Sequence, residues 1–306
     1  MIFNPIKLIC YLASLSIALL IGCGKTAPDQ QTTPKVEPTE ATLTLGMQAA
    51  KKAHDEGRYQ DAVRLSTAEL ATEEAKPSPS WMQLSYLNNQ LGVALDDVGQ
   101  YDKSLEYYQK SLAILLKQLG PDHPDVATSY NNIGAVHHKK GEYDHALEHF
   151  QKDLAIKLKQ LGPDHPSVAI SYNNIGMVYN NKGEYDKALE YYQKSLAISL
   201  KQLGPDRPSV ATSYNNIGLV HSKKGEYDKA LEYIQKALTI RLKQLGPDHP
   251  DVANSYHNIA FLYKDKKDLP KAKEYWRKAH AILLKKLGPN HPHTKLVKGE
   301  LDALNK

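Results

Sequence analysis

Little in this sequence invites thiolate or redox chemistry. Its 306 residues hold two cysteines, Cys10 and Cys23, both within the first 23 positions. The remainder can form neither a disulfide framework nor a thiolate metal site. A dominant charge is also missing: the net value of +5 falls to +4 without Lys7 and is spread along the chain. That does not describe a nucleic-acid binder. The sequence has no P-loop, no dinucleotide fingerprint and no convincing nucleophile constellation, so no enzyme class and no cofactor is indicated. With 41% hydrophobic and 24% charged residues, the composition is far from the disordered, collagen-like and multi-span membrane classes. Phenylalanine and tryptophan are scarce, at 3 and 2 residues, while tyrosine reaches 19. One aromatic type used so often points to a motif copied along the chain.

An apolar run covers residues 8–21 (LICYLASLSIALLI), preceded by a single charge, Lys7. These 14 residues are too few for a comfortable membrane-spanning helix and fit the core of an export signal. The run ends in Leu20-Ile21-Gly22-Cys23, which resembles the bacterial lipobox. The resemblance implies that residues 1–22 are a signal peptide and that Cys23 becomes the acylated first residue. Two or three acyl chains give stable anchoring where one does not. Gly24 in place of Asp points to the outer membrane in envelopes that sort lipoproteins by this position. Residues 24–45 are rich in Thr, Pro and Gln and cannot bury enough surface to offset their ordering entropy. Residues 23–45 are therefore expected to be a lipidated, flexible linker, and the expected location is the bacterial cell envelope.

A 42-residue period organises the rest. Leu-Gly-Pro-(Asp/Asn)-(His/Arg)-Pro recurs with its glycine at Gly120, Gly162, Gly204, Gly246 and Gly288. Gly-x-Tyr recurs in the same register at Gly57, Gly99, Gly141, Gly183 and Gly225, with Lys267 at the next step. Residues 120–161 and 162–203 agree at 31 of 42 positions, and 162–203 and 204–245 at 32. A period of this size means units that bury their apolar faces against neighbours. Each unit reads as two helices. Pro124 suits a first turn with Asp122 or His123 as cap, and Ala127, Tyr130, Ile133, Gly134 and His137 lie along one face. Gly141 supplies a left-handed stop. A second helix starts near Tyr143, carries Ala146, Leu147, Phe150, Leu154, Leu158 and Leu161, and stops at Gly162-Pro163.

Tyr172, Ile175-Gly176, Tyr179, Gly183-Glu184-Tyr185, Ala188, Tyr192 and Ser195 follow the pattern of the tetratricopeptide repeat, which the sequence resembles from about residue 80 to 292. Ser195 departs from the usual Ala, as do Ser111 and Asp153. The usual unit is 34 residues, so eight extra residues lengthen the second helix and its loop. Units of 42 carrying LGPDHPxVAxSYNNIG resemble those of kinesin light chains and related bacterial proteins. The resemblance implies an all-α, right-handed α-solenoid of about six helix-turn-helix units over residues 46–291. Their bounds are about 46–76, 80–119, 120–161, 162–203, 204–245 and 246–287, and residues 292–306 form a capping helix.

The columns that vary between units on the first helix are Thr128/Ile170/Thr212, Ala135/Met177/Leu219, His138/Asn180/Ser222 and Lys139/Asn181/Lys223. Their offsets put them on one helical face. Tetratricopeptide arrays line a concave groove with their first helices, so the resemblance makes this face the candidate groove. The pairs Asn131-Asn132, Asn173-Asn174 and Asn215-Asn216 flank it. An asparagine there is able to bond the backbone of an extended peptide. The alternative is a bond inside the repeat, favoured for Asn132, Asn174 and Asn216 over Asn131, Asn173 and Asn215. Relatives that bind chaperone tails carry lysines where Thr128, Ile170 and Thr212 stand, so a carboxylate clamp is not implied. Lys139, Lys223 and Lys264 favour an acidic peptide. A second variable set, His149/Tyr191/Tyr233, Asp153/Ser195/Ala237 and Lys157/Ser199/Arg241, reads as the solvated convex face.

His145-Ala146-Leu147-Glu148-His149 matches the H-x-x-E-H pattern of inverted zinc peptidases. The neighbouring units carry Lys187, Tyr191, Lys229 and Tyr233 in place of these histidines, so the match reads as drift at exposed columns and no metal site is expected. The loop residues His123, His165, His249 and His291 read as turn or cap residues. The expected function is a noncatalytic, lipid-anchored interaction scaffold that takes a peptide or partner helix in its groove. The alternative is an accessory subunit that holds an envelope enzyme or secretion machine together through other solenoid surfaces.

Overall fold

A computed structural model describes residues 43–304. The expected signal peptide, Cys23 and the linker up to residue 42 lie outside these residues. Thirteen α-helices and no strand occur among the described residues. They are α1 (Leu45–Asp55), α2 (Tyr59–Glu74), α3 (Trp81–Asp97), α4 (Tyr101–Leu119), α5 (Pro124–Lys140), α6 (Tyr143–Leu161), α7 (Pro166–Lys182), α8 (Tyr185–Leu203), α9 (Pro208–Lys223), α10 (Tyr227–Leu245), α11 (Pro250–Asp265), α12 (Leu269–Leu287) and α13 (Pro292–Ala303). Each helix packs on the next, most extensively within the pairs α3–α4, α5–α6, α7–α8, α9–α10 and α11–α12, and α13 closes on α12. The result is an all-α solenoid.

The local signals work as their chemistry requires. Each of α5, α7, α9, α11 and α13 starts with proline, whose missing N–H costs nothing in a first turn. The residue before it is the cap. His123, His165 and His249 each accept a hydrogen bond at Nδ1 from the backbone N–H two residues on, at 3.1 Å, which satisfies one of the orphan donors at the helix start. Arg207 has no acceptor and instead donates to the Leu203 carbonyl at 3.1 Å. Gly141 stops α5 in the left-handed conformation at φ 79°, where a side chain is penalised. Lys267 adopts φ 62° at the equivalent place in the last unit.

Ile133, Ile175, Ile217 and Ile259 are wholly buried, as are Ala146, Ala188, Ala230 and Ala272. Burying one such isoleucine is worth about 1.5–3 kcal/mol. Between the helices of a unit, glycine admits a large partner. A Cβ on Gly176 would lie 2.9 Å from the Tyr192 ring, one on Gly134 2.9 Å from Phe150, and one on Gly218 2.7 Å from Ile234. The last unit is built differently, with Ala260 in this column and Trp276 opposite, both buried. On α13, Thr294 and Val297 point into the stack while Lys295, Lys298 and Asp302 face solvent, as a terminal cap of a repeat array must.

Candidate functional site: the first-helix face

The first helices α3, α5, α7, α9 and α11 are joined by a run of side-chain hydrogen bonds. Asn132 Nδ2 donates to Asn89 Oδ1 at 3.1 Å, Asn174 to Asn131 at 2.8 Å, Asn216 to Asn173 at 2.8 Å and Asn258 to Asn215 at 3.0 Å. The second asparagine of each pair is thus engaged, but by the preceding unit rather than inside its own repeat as expected, because the partner asparagine lies one unit plus one position earlier. The first asparagine accepts with its carbonyl, and the Nδ2 atoms of Asn131, Asn173 and Asn215 have no partner among the described residues. All three residues are half-buried. Unused amide donors therefore recur once per unit along this face.

A second run lies beside the first. Lys139 Nζ donates to Asp96 Oδ2 at 2.7 Å, the Asn181 amide bonds His138 Nε2 at 2.7 Å, and Lys223 Nζ donates to Asn180 Oδ1 at 3.0 Å. Burial, with Lys139 beside it, pushes His138 down to about 4, so it is a neutral acceptor at neutral pH. Lys264 pairs with Glu300 at 2.8 Å. The lysines expected to favour an acidic peptide are all engaged by neighbouring units.

The remaining columns divide. Thr128 and Thr212 turn their hydroxyls back to the carbonyls of Pro124 and Pro208, at 3.2 and 3.1 Å, as threonine does inside helices. Ile170, between them, is 46% exposed. Met177, expected to line the face, is 6% exposed and packs with Tyr192, Ile217 and Val220. Ala135 and Leu219 are half-buried against the same kind of cluster, and Ser222 is half-buried at the edge. Met177 therefore belongs to the core and Ala135 and Leu219 lie partly against it, because this column packs on the first helix of the next unit.

The second-helix set is buried or half-buried, against the expectation of a solvated face. Asp153 is wholly buried, with Lys157 at 2.8 Å and Ser171 Oγ at 2.5 Å. Arg241 donates to Ser255 Oγ at 2.7 Å, and Ser195, Ser199 and Ala237 are buried. These residues sit where α6, α8 and α10 meet the first helix of the following unit. Sequence reasoning also missed the aromatic stacks. Tyr191 lies 5.9 Å from Tyr172 and 5.5 Å from Tyr179, and Tyr233 and Tyr275 repeat the arrangement with Tyr214 and His221, and with Tyr256 and Tyr263. Lys194, Lys236 and Lys278 lie over these rings.

In the unit of α5 and α6 the stack contains histidines: His137 lies parallel to His149 at 5.4 Å and 5.3 Å from His145. Glu148 of the H-x-x-E-H pattern bonds Lys152 at 2.7 Å. Among the described residues no group of three or more His, Cys, Asp or Glu is arranged to hold a metal ion.

A profile of the tetratricopeptide repeat matches residues 82–159, 134–201, 167–243 and 209–285. Among solved structures, BtubC (BKLC) from P. vanneervenii is 21% identical with a TM-score of 0.60, over 82% of this chain and 95% of that one. A kinesin-light-chain-type protein of Podosopora anserina with nearly identical TPR-like repeats is 26% identical with a TM-score of 0.56, over 66% and 96%. A signal transduction ATPase with a tetratricopeptide repeat sensor from Pyrococcus horikoshii is 19% identical with a TM-score of 0.64, over 85% of this chain and 38% of that one. No curated protein matched the sequence.

Proposed function

This chain belongs to the tetratricopeptide repeat family, and from that premise we propose that it is a noncatalytic interaction scaffold that takes an extended peptide along the first helices α5, α7 and α9. The observation that carries the reading is the asparagine run. Its carbonyls are used within the array and its Asn131, Asn173 and Asn215 amides are unused, so the face offers one donor per unit to a backbone carbonyl. Recognition through main-chain bonds gives affinity with little dependence on side chains. The lipobox-like end of the leader supports an anchor through Cys23 in a bacterial envelope, on the outer membrane where that envelope is diderm.

One observation favours a second reading, an accessory subunit that uses another surface. Leu203, Leu245 and Leu287 end α8, α10 and α12 at 36–38% exposure, an apolar row along the turn edge rather than the first-helix face. Crosslinking and affinity purification from the native envelope separate the two. A prey lost with Asn173→Ala plus Asn215→Ala, in a protein whose circular dichroism shows it still folded at the assay temperature, supports peptide capture. A prey kept by that variant and lost with Cys23→Ser supports the tethered accessory subunit.

A further inference from the structure

Resting on the groove reading, a finer question is what kind of peptide the face selects. Charge is matched within the array: Lys139 faces Asp96 and Lys264 faces Glu300, Lys223 is held by Asn180 and lies over the Tyr185 ring at 6.0 Å, and His138 accepts from Asn181. An acidic side chain arriving here would have to compete with these partners for each cation. The asparagine run is neutral. The exposed large apolar residues on the other helices lie on second helices, at turns or on α1, and Ile170 is the one on a central first helix. The threonines in the same column of the neighbouring units spend their hydroxyls on carbonyls of their own helices. The column from Thr128 through Ile170 to Thr212 is therefore an apolar stripe on an otherwise hydrogen-bonding, charge-matched face.

We propose that Ile170 is the specificity-determining residue of this face, and that the partner is an extended segment without acidic side chains, one aliphatic side chain of which seats on Ile170 between Thr128 and Thr212. The backbone of that segment bonds Asn131, Asn173 and Asn215. Removing an exposed aliphatic contact from water adds affinity in proportion to the apolar area covered, which ranks peptides that bond the asparagines equally well.

The test is selection of a phage-displayed library of random 12-residue peptides on the immobilised full-length chain. The expected result is enrichment of peptides that lack Asp and Glu and carry Leu, Ile, Val or Met. Ile170→Thr is a variant the array already accommodates at Thr128 and Thr212, and it is expected to keep enrichment over a bare surface but lose the aliphatic bias. Asn173→Ala with Asn215→Ala is expected to lose enrichment altogether. Enrichment of acidic peptides, or an unchanged aliphatic bias with Ile170→Thr, overturns the inference while leaving peptide capture intact. No enrichment by the wild-type chain overturns peptide capture and this inference with it.

Discussion

The central units and the last unit solve the same packing problem differently. In residues 120–245 a glycine meets Phe150, Tyr192 or Ile234 at a distance that leaves no room for a Cβ. In the last unit Ala260 stands in that column, and Trp276 turns its ring edge-on to Phe261 at 5.3 Å and donates Nε1 to His257 Nδ1 at 3.2 Å. His257 occupies the column of Asn131, Asn173 and Asn215. The reason is visible one step further on: the next donor position holds Glu300 rather than asparagine, so a carbonyl at residue 257 would have nothing to accept. At the other end the column holds Met47, buried at 1% exposure. Central units are uniform because each faces copies of itself on both sides. The end units close the hydrogen-bonded run into apolar and aromatic core.

Trp276→Ala is expected to give the largest effect, about 3–5 kcal/mol, and to act locally because it lies at an end of a nearest-neighbour array. Hydrogen exchange checks this: protection should fall in α11–α13 and persist in α5–α9. Gly176→Leu should cost on the order of 1–3 kcal/mol or more by overpacking against Tyr192, and being central it should divide the array. A chemical-denaturation curve that broadens or splits supports this, and an unchanged curve refutes the close crossing.

Acid should separate the units next. Burial pushes His138, His149 and His257 each down to about 4, from about 6.5 when unfolded. Folding therefore favours their neutral forms, so this stability is fully present above about pH 6.5 and is lost as pH falls through the window toward about 4. Two of the three lie in residues 120–161, where the following unit has Asn180 and Tyr191. His138→Asn with His149→Tyr should flatten the fall in Tm between pH 6.5 and 4. An equally steep fall would mean that other groups carry the acid sensitivity.

Asn174→Ala removes one rung and should cost about 0.5–1.5 kcal/mol by urea denaturation. The smallest effect is expected from Lys201→Ala. It removes a pair with Asp164 at 2.5 Å that is exposed on both sides, and pairs of this kind contribute little. A Tm shift of several degrees would overturn that.

The period, the proline starts, the histidine caps and the glycine stops were all legible, since each is a local demand of backbone chemistry. On the first-helix face, that Asn132, Asn174 and Asn216 are engaged was legible, but their partners were not: each bonds the preceding unit rather than its own repeat. The second-helix columns were misread because variation between copies was equated with exposure. Asp153 and Lys157 vary together because they neutralise each other at one junction, and Arg241 meets Ser255 at another. The same holds for Lys139 with Asp96 and Asn181 with His138, each 43 residues apart. Comparing residues one unit apart asks what is alike. Comparing residues one unit plus one position apart asks what touches, and that offset would have exposed Asn89, Asp96 and Asn258 as members of the face.

The junctions between central units end on the same kind of receiving helix: Ser171 meets Lys157 and Asp153, Ser255 meets Arg241, and Ser213 is buried at the equivalent place. An addition or excision of 42 residues within 120–245 would therefore keep the asparagine rung of every joint. The number of units is free to change in whole steps, as links are added to a chain between two fixed clasps, and with each step the asparagine run changes by one rung.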